Sequence, residues 1–202
     1  QHVNERCDVP GFLSGRRYRA ISGKPRYMAL YDTTGSDVLS SAPYRKALNN
    51  PTDWTQQVMP GFQGLIRAVL DVETRVGRGY GVTVASFRPK PGAEASPPLI
   101  AWLKQDALPA LLEEPGITGA QLLRSARNRT ATDTTEGKMR DEPDKTVEWA
   151  CFVDGTEPAL VRAACRKFLS SESFRDRGAG SVNRGLYRLL YGNDSLRQEA
   201  GR

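Results

Sequence analysis

The sequence predicts an α+β chain built twice from one βαββαβ unit, the antiparallel sheets of the two copies packed face to face. Three observations carry this. Two Pro-Gly turns, "PGFLSGRRYRA" from Pro10 and "PGITGAQLLRS" from Pro115, each lead into a β-rich run. "YMALYDTTGSDVLSSAPYRKAL" then matches "WACFVDGTEPALVRAACRKFL", with Asp32 against Asp154 and Arg45-Lys46 against Arg166-Lys167. Finally, Gly64-Leu65-Ile66-Arg67 matches Gly185-Leu186-Tyr187-Arg188. Matches kept in one order, with a single insertion, are the mark of an internal repeat.

The elements follow in order. "QHVNERCDV" reads as the last turns of a helix ahead of the first Pro-Gly. Arg16 to Ile21 and Arg26 to Tyr31 are short runs rich in β-formers, separated by the turn signal Ser22-Gly23-Lys24-Pro25, and read as a hairpin. Asp37 can cap a helix from Val38 to about Leu48, which Pro43 can divide. Trp54 to Met59 is a further helical turn. Leu65 to Thr74 is a strand, and "RVGRGYG" turns the chain.

The second copy is longer. Val82 to Phe87 is β-branched and alternating. After a proline-rich break, Leu99, Ile100, Leu103, Ala107, Ala110 and Leu111 follow a period near 3.6 and predict a helix over 99–112. Gly119 to Ala126 and Val147 to Val153 are strands, Glu157 to Leu169 is a helix, and Leu186 to Tyr191 is the last strand. This is βαββαβ, the ferredoxin-like unit. The reading places a first repeat at 1–76 and a second at 80–192. A polar, mobile insertion falls at 127–146 and a polar tail at 193–202. With the second copy as ruler, the first strand of the first copy, roughly 25 residues with most of its helix, is expected to be missing from the chain.

Composition narrows the function. The 202 residues are 39% hydrophobic and carry a net charge of +6. No apolar run reaches the length of a membrane span, about 20 residues, so no membrane partner is expected. The basic residues are scattered along the chain in pairs such as Arg16-Arg17 and Arg166-Lys167. That dispersal predicts a solvated basic surface and no nucleic-acid partner. Cys7, Cys151 and Cys165 are odd in number and lack metal spacing, which suits reduced thiols in the cytoplasm. With one histidine there is no metal cluster and no Ser/His/Asp set. The glycines of "GRGYG" lack the strand–GxGxxG–helix context of a dinucleotide site.

His2-x-x-Glu5-Arg6, Pro10-Gly11-Phe12, Arg16-Arg17-Tyr18 and "PRYMALYD" together resemble the first-repeat signature of the dimeric α+β barrel superfamily. The EthD-like branch is the most similar, in its tandem-repeat, mostly uncharacterised bacterial members. The resemblance implies a small-molecule ligand, a homodimer as one arrangement compatible with it, and no required cofactor. It implies an isomerase, lyase or monooxygenase type of enzyme acting on an apolar or aromatic carboxylate, lactone or ketone in an inter-sheet cavity. The alternative it implies is a non-catalytic EthD-like accessory protein, with haem binding as a third reading.

His2 is the candidate acid–base group, because imidazole transfers protons near neutral pH. Glu5, three residues on, shares its helix face and could orient it. Arg17 could clamp a carboxylate or enolate. Arg17 and Tyr18 alternate across a strand, so one of them faces the cavity. Tyr18, Tyr27, Tyr31 and Trp54 are the candidate substrate-binding aromatics. Asp32 and Asp154 end equivalent strands and read as turn or cap residues.

Overall fold

Alternation and turn chemistry place the strands, and edge pairing joins them. The computed structural model describes residues 2–61, 64–91, 96–126, 135, 145 and 147–194. Helix α1 (His2–Cys7) leads through the Pro10-Gly11 turn into β1 (Phe12–Gly23) and β2 (Tyr27–Thr33). A 3₁₀ turn over Ser36–Ser40 precedes α2 (Ala42–Asn49) and α3 (Asp53–Val58). Pro43 divides the expected helix here, and the Ser41 side chain caps α2 by accepting from Tyr44 N–H. Strand β3 (Leu70–Gly77) begins five residues later than expected, because its pairing opens at Leu70 against Ser125.

The second half runs β4 (Thr83–Pro91), α4 (Ser96–Trp102), a π-helical turn (Leu103–Ala107), α5 (Leu108–Leu112), β5 (Ile117–Ser125), β6 (Trp149–Gly155), α6 (Pro158–Phe168), α7 (Ser171–Arg175) and β7 (Ala179–Asp194). The π turn lies just ahead of Pro109, where Leu108 N–H reaches back to Leu103 O. The widened turn gives the proline ring room against the carbonyl four residues earlier. Helix α7 falls in a stretch for which no element was predicted; Ser170 caps it by accepting from Ser173 N–H. Gly11 and Gly116 both take positive φ (93° and 77°), so the two Pro-Gly turns use glycine for the same reason. The insertion at 127–146 lies almost wholly outside the described residues, as does the tail beyond Asp194.

The seven described strands form one curled antiparallel sheet in the order β2-β1-β7-β4-β6-β5-β3. The stretch β7-β4-β6-β5 has ferredoxin-like order. The expected pair of sheets is therefore one sheet, because the edges of the two halves pair. β1 pairs with β7 from Ser14↔Asp194 to Gly23↔Gly185, and β3 pairs with β5. This pairing lengthens β7 well beyond the apolar run that predicted it. Backbone hydrogen bonds hold Gly192, Asn193 and Asp194 in the strand despite their polarity. β2 and β3 are the edges, and each has one described neighbour.

Three clusters of buried side chains lie on the two faces, one of them Val9, Phe12, Val38, Tyr44 and Leu48 under the helices of the first half. Outside, the helices pack Leu99, Leu103, Leu108, Leu111 and Val161 onto Phe87, Leu122, Cys151 and Val153. Inside the curl, Tyr18, Val84, Leu123, Ala150, Phe152 and Tyr187 form a second cluster, with Met28, Leu30, Leu70 and Leu189 against it. Burying each such side chain contributes about 1.5–3 kcal/mol.

Candidate functional site

Strand alternation decides which predicted residues can meet. On β1, Arg16 and Tyr18 point into the curl, whereas Gly15 and Arg17 face the helices. Tyr31 lies opposite Gly15, and Tyr27 opposite Arg19, so both tyrosines share the helix side with Arg17.

Glycine at position 15 lets α1 settle close on β1. A Cβ there would lie 2.7 Å from Val3 Cγ1, 2.9 Å from Cys7 Sγ and 3.0 Å from Tyr31 Cδ1. Against this helix the Tyr31 ring meets Phe12 edge-on at 5.8 Å. Its hydroxyl is buried and has no hydrogen-bond partner among the described residues. Desolvation, opposed by Arg6 and Arg17, pushes the phenol up to about 12, so it is a neutral donor at ordinary pH. On α1, His2 Nδ1 lies 3.8 Å from Glu5 Oε2, with the imidazole partly exposed. Glu5 is held in turn by the hydroxyls at the start of α3. Thr52 Oγ1 donates to Oε1 at 3.0 Å, and Thr55 Oγ1 donates to Oε2 at 3.4 Å. Arg17 lies over the Tyr27 ring at 4.9 Å. Trp54 stands exposed on α3.

The structure therefore brings His2, Glu5, Arg17, Tyr27 and Tyr31 to the helix side of the first half. Tyr18 is on the opposite face, fully buried, its phenol likewise pushed up to about 12 by desolvation. Tyr18, Val84, Leu123, Phe152 and Tyr187 fill the inside of the curl.

At the mouth of the curl lies a polar cluster that sequence reasoning missed. Arg16 Nη2 donates to Asp32 Oδ2 at 2.8 Å, and the same oxygen accepts from Ser14 Oγ at 2.7 Å and Tyr80 Oη at 3.2 Å. The Tyr80 ring lies 3.9 Å from the Arg16 guanidinium carbon. Arg75 Nη2 donates to Gln121 Oε1 at 2.9 Å and lies 4.0 Å from Asp32 Oδ1. A cavity of about 20 Å³ opens between Arg75, Tyr80, Gln121 and Asp154. That is room for a water molecule and too little for an aromatic ligand. The signal for this cluster was the shared parity of Arg16 and Tyr18 and the matched Asp32 and Asp154. Each aspartate lies one residue before the end of its strand, and Asp32 binds side chains across the sheet.

Asp154 is buried and accepts from Gly81 N–H at 3.2 Å. Burial raises its pKa, against the opposing pull of Gly81 N–H, Arg16 and Arg75. The folded state is then the better proton binder. Stability is greatest below the ordinary carboxyl pKa of about 3.9, falls as pH rises toward the folded value, and stays reduced above it. Asp154→Asn keeps the acceptor for Gly81 and removes the charge. Urea unfolding should find this variant more stable than the parent at pH 8, with the difference shrinking toward pH 4. A variant less stable at pH 8 would contradict the assignment.

No protein-family profile matches the chain, and no curated protein matches it. Solved structures do. An anthrone oxidase-like protein is 12% identical, with a TM-score of 0.63 over 96% of this chain and 83% of its own. A candidate monooxygenase from Fusobacterium nucleatum is 11% identical, with a TM-score of 0.60 over 96% and 83%. A candidate monooxygenase from Lactobacillus acidophilus is 9% identical, with a TM-score of 0.55 over 96% and 86%. The chain shares their ferredoxin-like α+β fold. At this identity the likeness is one of fold, and the chemistry must be argued from the residues. No described helix is long and apolar enough to cross a membrane.

Proposed function

We propose that the protein is a cofactor-independent small-molecule enzyme acting on an apolar or aromatic carboxylate, lactone or ketone at the helix side of β1 and β2. The observation that carries this reading is the His2–Glu5 pair, anchored by Thr52 and Thr55, on the same side of the sheet as Arg17 and the buried, unpartnered Tyr31 hydroxyl. The shared first step of an isomerase, lyase or monooxygenase route is proton removal next to a carbonyl. His2 takes the proton, and the bonding electron pair moves to the carbonyl oxygen. Tyr31 donates a hydrogen bond to that oxygen, and Arg17 pairs with the anionic end of the ligand. Glu5 holds the imidazole and stabilises its protonated form.

In the competing reading, an EthD-like accessory protein holds the ligand and leaves it unchanged. The partial exposure of His2 and the filled interior of the curl favour it. Haem binding is a weaker third reading, since His2 would be the only imidazole ligand. The EthD-like resemblance and the tandem repeat, with its boundaries at 1–76 and 80–192, are part of the same proposal. The ferredoxin-like order β7-β4-β6-β5 and the paired Gly11 and Gly116 turns support the repeat. The three described cysteines are free and buried, in keeping with a reducing compartment.

The test is turnover. On a substrate found by screening aromatic carboxylates and lactones, His2→Gln should lower kcat by about 100-fold or more, with KM within about threefold. Unchanged kcat would remove His2 from the mechanism. Ligand binding without turnover by the parent would favour the accessory protein.

A further inference from the structure

Sequence order scatters the arginines, and strand pairing gathers four of them. Arg19 lies directly opposite Tyr27 on one side and opposite Arg188 on the other. Arg17 lies two residues along β1 on the same face, roughly 7 Å away by strand geometry. Arg26 and Arg17 both pack against the Tyr27 ring, at 5.4 and 4.9 Å. Arg19, Arg26 and Arg188 are exposed and Arg17 is half-buried. None of the four has an ion-pair partner among the described residues.

Like charges directly opposite on paired strands are destabilising unless something neutralises them. The elements themselves offer little to do so. β1 contains no carboxylate, β2 contributes only Asp32, engaged by Arg16 on the other face, and β7 contributes only Asp194 at its far end. Exposed apolar surface flanks the cations at Ile21 and at Tyr27 itself. Arg19, Arg26 and Arg188 stand exposed along the paired strands, a spacing that suits an extended polyanion.

We infer that the helix-side face of β2–β1–β7 beyond α1 binds single-stranded nucleic acid. The four guanidiniums meet successive phosphates, and the exposed aromatic and aliphatic surface beside them supports the bases. Such binding is strongly salt-dependent. Four phosphate contacts give a slope of log K on log salt of about −2.8, and two give about −1.4.

The test is fluorescence anisotropy with a labelled 20-nucleotide thymidine strand, titrated at several salt concentrations. The parent should bind saturably at low salt with the steeper slope. Arg19→Gln with Arg188→Gln should weaken binding at least tenfold and flatten the slope. That variant relieves the cross-strand repulsion, so its melting temperature should equal or exceed that of the parent. Arg162→Gln with Arg166→Gln, which removes the same charge from the exposed side of α6, should change affinity less than twofold. Absence of saturable binding by the parent would overturn the proposal. So would equal losses in the two double variants, which would mark general charge attraction, or a dimer that buries Arg19 and Arg188.

Discussion

Asp32→Ala should lower the unfolding free energy by about 3 kcal/mol, because it strands a buried guanidinium. Arg16 is only 6% exposed, and its direct carboxylate partner is Asp32 at 2.8 Å. Burial alone disfavours its charge, yet the nearby Tyr18, Asp32, Tyr80 and Asp154 hold its pKa above the ordinary value. Removing Asp32 also frees the hydroxyls of Ser14 and Tyr80. For a chain of this length the loss corresponds to a fall in melting temperature of roughly 6–12 °C. Calorimetry measures it. Adding Arg16→Met should recover a large part of the loss, since an absent buried charge needs no partner. A loss below about 1 kcal/mol in the single variant would mean that water or Asp154 already neutralises Arg16.

Gly15→Val should be comparably severe and should act on the site as well as on stability. The new side chain meets Val3, Cys7 and Tyr31 at once, and all three pack in the seam between α1 and the sheet. Overpacking of this kind typically costs about 1–3 kcal/mol. Relief comes most readily by lifting α1, a helix of six residues with little of its own to hold it in place. Lifting α1 carries His2 and Glu5 away from Thr52, Thr55 and the Tyr31 hydroxyl. Amide exchange should therefore quicken over 2–7 more than over β4 or β6. Uniform quickening across the sheet would contradict the local account.

What the sequence made legible follows physical range. Alternation and turn residues placed β2, β5 and β6 within two residues of their observed limits, because those signals are local, whereas β1 starts four residues earlier and β4 ends four residues later than expected, where pairing with β2 and β7 extends them. The strand-end placement of Asp32 and Asp154 was legible. Their setting was not, because the contacts of Asp32 cross to β1 and to Tyr80 beyond β3. β7 was read too short and α7 was not predicted: the strand is extended by pairing with β1, and the helix is a single capped turn and a half. The arginine row was hidden because Arg19 and Arg188 meet only through the register of two distant strands. Parity on β1 left open whether Arg17 or Tyr18 faced the inside, and closure of the curl decided it.

The single imidazole offers the most direct measurement of the site. The ring resonances of His2 are the only histidine signals in a spectrum of this chain. Benzoate, salicylate and cinnamate titrated against the protein should shift those resonances saturably. Tyr31→Phe should weaken the apparent affinity. If these ligands bind while the His2 resonances stay fixed, the site lies elsewhere and the proposed acid–base role of His2 falls with it.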